Sequence, residues 1–244
     1  DEDTYLGDGL VEQFTEQGLE YVKDPIVSIA AGENFSLALG RSGRVYTWGR
    51  DNYGQLGQGE TDYTFSAYAR TVVKGNSPSS FGSEMSDVVA ISAGGTTAYA
   101  IRANGDVWSW GNNEDKQLGA DSPLSHRASP VRVVVDRVVS VAGGNGHAVV
   151  VSASADEQHN GAVYGFGRNN KSQIGGGSAV SGVPVLMVAN GATHVAAGGD
   201  TTLVQAPSSV NDGNMTLMAW GDNVVGQAGT NEKEDVPQYN EETD

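Results

Sequence analysis

At 244 residues with no cysteine, the chain is long enough for a sizeable core and excludes disulfides, thiolate metal sites and cysteine nucleophiles. A formal net charge of -16 makes it a poor match for nucleic acid, whose affinity comes largely from Lys and Arg on phosphates. No apolar run approaches the roughly 18 residues of a spanning helix.

Residues 1–24 hold eight acids and one Lys, and residues 231–244 hold six acids and one Lys. The two ends therefore carry -12 of the -16, leaving the body at -4. Both ends are expected to be solvated acidic segments. Because the chain opens on Asp1 without Met, a processed N-terminus is expected. A soluble protein of a secreted or organelle-lumen compartment fits that start and the missing cysteines. Residues 9–22 show the chain's one weak 3.6-residue apolar period.

Next in chain order comes an alternating block, VSIAAGENFSLAL (27–39), rich in Val, Ile and small residues. It recurs as VAISAGGTTAYAI (89–101), VSVAGGNGHAVVV (139–151) and THVAAGGDTTLVQ (193–205), each predicted to be strand. A turn and a second alternating run follow each block: RSGRVYTWG (41–49), ANGDVWSWG (103–111), NGAVYGFG (160–167) and NMTLMAWG (214–221). Ser42-Gly43, Asn104-Gly105 and Asn160-Gly161 are hairpin-turn dipeptides.

Each run ends in an aromatic residue and Gly, then a nine-residue loop: GRDNYGQLG, GNNEDKQLG, GRNNKSQIG and GDNVVGQAG. The loops start at Gly49, Gly111, Gly167 and Gly221, at intervals of 62, 56 and 54 residues. Beyond them, VRVVV (131–135) and PVLMV (184–188) supply a further short strand. Units of about four antiparallel strands at this period predict an all-β β-propeller of about four repeats. The recurring Trp48, Trp110, Phe166 and Trp220 are expected in the core. Gln55, Gln117, Gln173 and Gln227 are expected to bridge neighbouring repeats, and Asp51, Asn113, Asn169 and Asn223 to bond the loop backbone.

These blocks, from about residue 25 to 230, resemble the repeat family of the regulator of chromosome condensation. The resemblance implies a propeller that normally closes with seven repeats, so four copies predict an open or partial ring. Completion by missing sequence, by a partner, or by four blades closing on themselves are all open at this point. Tyr5-Leu6-Gly7-Asp8-Gly9 looks like Gln55-Leu56-Gly57-Gln58-Gly59, and Gly7 lies 50 residues before Gly57. The expected organisation is an acidic segment 1–24 as the tail of a preceding blade and a four-repeat domain 25–230. Its repeats run about 25–87, 88–137, 138–191 and 192–230, with an acidic tail at 231–244. End faces of an open arc are expected to expose apolar surface.

The family's founding member exchanges nucleotide on a small GTPase and binds nucleosomes through basic termini, which the acidic ends here do not match. The ultraviolet-B photoreceptor of the same fold uses a Trp-rich window. Here that window holds Glu33-Asn34-Phe35, Gly95-Thr96-Thr97, Asn145-Gly146-His147 and Gly199-Asp200-Thr201 instead. Bacterial members include a secreted inhibitor of β-lactamase.

No positive signal for chemistry emerges. His126, His147, His159 and His194 show no metal-ligand spacing, and GGNGHA (143–148) completes no phosphate-binding motif. No catalytic residue, cofactor or metal site is expected.

Departures from symmetry are the better guide. The hairpins of repeats three and four are six residues longer, with polar tips at 152–161 and 206–214. The connection 60–87 carries Tyr63, Phe65, Tyr68 and Phe81, candidate partner-binding residues because loop aromatics bury large area at low entropy cost. The expected function is a non-catalytic protein-interaction module, a structural or scaffold subunit of a multi-subunit assembly. Its alternatives are nucleotide exchange on a small GTPase and a secreted inhibitor or ligand-binding propeller.

Overall fold

The computed structural model describes residues 10–15, 18–59, 64–75, 83–153, 160–208 and 214–229, with side chains from Lys23 onward. Every regular element among them is a strand. Residues 9–22, with their weak helical period, contain β1 (Leu10–Thr15) and β2 (Gly18–Lys23), which pair antiparallel. Val11, Phe14 and Thr15 in the first strand and Tyr21 and Val22 in the second are β formers. Hairpin pairing overrides a helical period too short to propagate on its own.

The first blade comprises β3 (Ile26–Ala31), β4 (Phe35–Gly40), β5 (Val45–Arg50) and β6 (Phe65–Thr71). The β1–β2 hairpin extends it to six strands through one parallel pairing, Gln13 with Ala69. Blade two is β7 (Val88–Gly94), β8 (Thr97–Arg102), β9 (Val107–Asn112) and β10 (His126–Arg132). Blade three is β11 (Val138–Gly143), β12 (His147–Ala153), β13 (Asn160–Arg168) and β14 (Val180–Val188). Blade four shows β15 (His194–Gly198), β16 (Thr201–Pro207) and β17 (Met215–Gly221).

The fourth strands β10 and β14 begin earlier than the apolar runs at 131–135 and 184–188. Their first halves, residues 126–129 and 180–183, pair with the ends of β9 and β13 at Asn112 and Arg168, and a register shift separates them from the apolar runs. Such a register shift hides a strand from periodicity.

The sheets stack in chain order. β3 packs on β7, β7 on β11 and β11 on β15, so three apolar cores lie between successive blades. Leu37, Leu39, Val45 and Leu56 of blade one face Ala98, Ala100 and Trp110 of blade two. Tyr99, Ile101 and Val107 then face Val150 and Phe166, and Val149, Val151 and Val163 face Val204 and Trp220. An aromatic buried in this way removes roughly 150–250 Å² from water, about 4–6 kcal/mol before ordering costs.

The aromatic-Gly pair has a local reason. Gly49, Gly111, Gly167 and Gly221 adopt φ of 105°, 104°, 103° and 102°. A Cβ at any of them would run into the backbone of Asn34, Thr96, Gly146 or Asp200 respectively. Only glycine turns the strand into the loop there.

Candidate functional site

The repeat loops sit where third strands end, and their polar residues first serve themselves. Oδ1 of Asp51, Asn113, Asn169 and Asn223 accepts the N–H of Leu56, Leu118, Ile174 and Ala228 at 2.9, 3.2, 2.9 and 2.8 Å. Oε1 of Gln55, Gln117, Gln173 and Gln227 accepts the N–H of Tyr53, Asp115, Lys171 and Val225 at 2.9, 2.9, 2.8 and 2.9 Å. The loops also dock the next blade. Trp110 Nε1 donates to the Gln55 carbonyl at 2.9 Å, and Gln173 Nε2 reaches Asp200 Oδ1 at 3.2 Å. Trp110, Phe166 and Trp220 are buried, while Trp48 is half-buried and packs against Ala38 and Tyr46.

Three positions depart from this symmetry. Asp51 stands where the other repeats carry Asn. Asn113 Nδ2 donates to the Ser122 and Leu124 carbonyls, and Asn169 Nδ2 to those of Gly175 and Ser178. Asp51 offers an oxygen instead, and its Oδ2 is buried without a partner. Burial pushes its carboxyl up to about 6, against the Leu56 N–H and the Arg70 charge.

His147 is the second departure. Thr202 donates its hydroxyl to the Gln173 carbonyl at 2.7 Å, so it accepts from His147 Nε2–H, 2.8 Å away. The proton is thereby assigned to Nε2, leaving Nδ1 buried without a partner. Burial, with a smaller push from Arg168, lowers this histidine to about 4. It is a neutral bridge between blades three and four. Of the other histidines, His126 and His194 are exposed and His159 lies outside the described residues.

Gln227 is the third: it is exposed, where Gln55, Gln117 and Gln173 are at most 2% exposed. Blade four thus presents an open face. Leu217 is 65% exposed at the position of the fully buried Val45, Val107 and Val163. That face is less apolar than expected, because Gln205 replaces Leu39, Ile101 and Val151, and Ala228 replaces Leu56, Leu118 and Ile174. At the opposite end Ile29 is 78% exposed.

Arg168 ties three blades together on the loop side, pairing with Asp115 of blade two and, at 3.7 Å, Asp200 of blade four. Among the described residues no group of three or more His, Asp or Glu could hold a metal ion, and no helix is long and apolar enough to cross a membrane.

Of the candidate partner-binding aromatics, Phe65 and Tyr68 lie on β6 with 67% and 44% of their surface exposed. Tyr63 and Phe81 lie outside the described residues, as do most of both long hairpin tips. Sequence reasoning missed two further apolar groups. Val180, Val183 and Leu186 are exposed on β14, the counterpart of β6 in blade three. Val27, Val89 and Val139 form an exposed row along the innermost strands. Val89 and Val139 line a concavity of about 400 Å³ with Arg102, Asn104 and Arg137. Apolar residues on the outer side of a fourth strand were the available signal.

The family described as "Regulator of chromosome condensation (RCC1) repeat" matches at residues 42–101, 104–151 and 160–205, and a second description of that repeat at 26–55 and 88–117. Among curated proteins, the human "Probable E3 ubiquitin-protein ligase HERC3" is 33% identical over 212 residues, 84% of this chain and 18% of the relative. The human "Regulator of chromosome condensation" is 29% identical over 174 residues, covering 70% of this chain and 37% of that protein. The chain thus spans well under half of either relative. Two solved structures share the fold. Human WBSCR16 superposes with a TM-score of 0.70 at 22% identity, covering 90% of this chain and 54% of that one. Yeast Prp20p, studied for its binding to Gsp1p and histones, does so at 0.69 and 19%, covering 93% and 57%.

Proposed function

This chain belongs to the regulator of chromosome condensation repeat family, and we propose that its four blades act as a protein-interaction module without a catalytic site of its own. Its role is to hold a protein partner as a structural or scaffold subunit of a larger assembly. One observation carries this reading: two large side chains, Phe65 and Tyr68, stand exposed on β6, a paired strand of a packed blade. Rigid, exposed aromatics contribute interface area at low entropy cost. The recurring polar residues, by contrast, are spent on their own loops and junctions. Solved relatives support partner binding as the use of this fold, since a yeast member is seen with Kap60 bound.

The test is chemical cross-linking of the full chain in extracts of its native cells, with mapping of the linked positions. Links from a single protein converging on residues 64–75 support the module. A partner linked only elsewhere on the arc overturns the assignment to β6.

A second reading, nucleotide exchange on a small GTPase, is favoured by the likeness to the human regulator and to a yeast protein studied with Gsp1p. It requires that the purified chain accelerate nucleotide release from such a GTPase. Release at the intrinsic rate eliminates it.

A further inference from the structure

Two buried donors of blade two meet at one cavity. Trp108 Nε1 and Arg102 Nε are shielded from solvent, and neither has a hydrogen-bond partner among the described residues. Trp108 faces Ala100 in the β8–β9 register, so Trp108 and Arg102, two residues further along β8, project from the same side of the sheet. That side looks towards blade one, because Trp108 packs on the core between the two blades. Both residues line a cavity of about 10 Å³ together with Lys74, Gly75, Met85 and Ser86. Its outer wall is held by backbone bonds: the Lys74 N–H donates to the Ser83 carbonyl and the Met85 N–H to the Val72 carbonyl, both at 2.7 Å.

Blade one shows what fits there. Asp24 and Ser86 each lie eight residues before the equivalent Gly32 and Gly94. Tyr46 and Trp108 each lie three residues before Gly49 and Gly111, and Gly40 and Arg102 end β4 and β8. In blade one the Asp24 carboxylate sits over Gly40, where a Cβ would strike it. It accepts the Tyr46 hydroxyl and the Ser42 N–H, each at 3.0 Å. Burial opposes that charge, but the Ser42 and Tyr46 hydrogen bonds and the Arg44 charge overcome it and hold the carboxyl below the usual carboxylate range.

Blade two keeps the aromatic donor and adds a guanidinium, yet Ser86 brings a hydroxyl where blade one has the carboxylate. The neighbouring acid, Asp87, is turned to Arg102 Nη2 at 3.1 Å. Exposed Lys74 adds a second positive charge to the lining. Two N–H donors and two cations around the space of one atom suit a monatomic anion, and a carboxylate or phosphate group is too large.

We propose that this cavity is a halide site, taking chloride between Trp108 Nε1 and Arg102 Nε in the place that the Asp24 carboxylate holds in blade one. The ion ties the connection leaving repeat one to blade two. This goes beyond the β6 surface and does not rest on it.

The test is the thermal midpoint of the full chain as chloride replaces gluconate, up to about 0.15 M at constant ionic strength. The parent should gain about 2 °C or more, with saturation. Trp108→Phe removes one donor and should lose that gain. Ser86→Asp supplies a carboxylate of its own and should lose the gain without a lower midpoint in gluconate, which keeps the test decisive where Trp108→Phe folds poorly. Equal parent midpoints in the two salts mean that water suffices in the cavity and overturn the proposal. A chloride gain that survives in either folded variant places the ion elsewhere and overturns it too.

Discussion

Asp51 shows how one atom separates a family pattern from this chain's behaviour. Where Asn113 donates two hydrogen bonds, Asp51 buries an oxygen with no donor, and its carboxyl is pushed up to about 6. A raised folded-state value means that stability is full below the unfolded value near 4 and falls as pH rises towards 6. His147 has the opposite sign: lowered to about 4, it gives stability that is complete above about 6.5 and lost as pH falls. The two slopes oppose one another, so the native chain should show a nearly flat urea midpoint between pH 4 and 6.5. Asp51→Asn should expose the histidine slope and stabilise the chain at pH 7 by about 1–3 kcal/mol. A variant less stable than its parent at pH 7 contradicts this account.

At the scale of the element, each loop locks one blade to the next, so equivalent residues should differ in cost according to whether a further blade packs over them. Gln55→Ala strands the Tyr53 N–H inside a junction and should cost about 1–3 kcal/mol, whereas Gln227→Ala, exposed, should cost less than about 0.5. Trp110→Phe should cost about 1 kcal/mol by removing the donor to Gln55, and Trp110→Ala about 3–5. Calorimetry on the four variants checks the order. Much of this was legible in the sequence, because Gly, aromatic, Asn and Gln each recur at one offset and each answers one backbone need. The β1–β2 hairpin was not, since its apolar residues also fit a short helical period. The early starts of β10 and β14 were hidden by the register shift in each strand, with His126 and Arg127 adding polar residues in β10. The Asp-for-Asn exchange at Asp51 was visible, but its unpaired oxygen required the packed loop. Exposed Phe65 and Tyr68 were foreseeable as loop aromatics, though their place on a strand was not.

For the whole molecule, four blades stacked in order, each packed on the next, behave as a short repeat array. Blades two and three have a packed neighbour on both sides, while the outer face of blade four carries exposed Leu217 and Gln227. Hydrogen exchange should therefore be slowest in β8 and β12 and faster in β16, and uniform protection would contradict the array picture. In the proposed function, Phe65 and Tyr68, exposed on β6, are the surface that captures the partner. The most direct measurement is the affinity of the cross-linked partner for the full chain and for Phe65→Ala/Tyr68→Ala, with thermal midpoints taken alongside. A loss of about tenfold or more with an almost unchanged midpoint is predicted. An affinity within about twofold of the parent, below any hot-spot cost, would contradict the account.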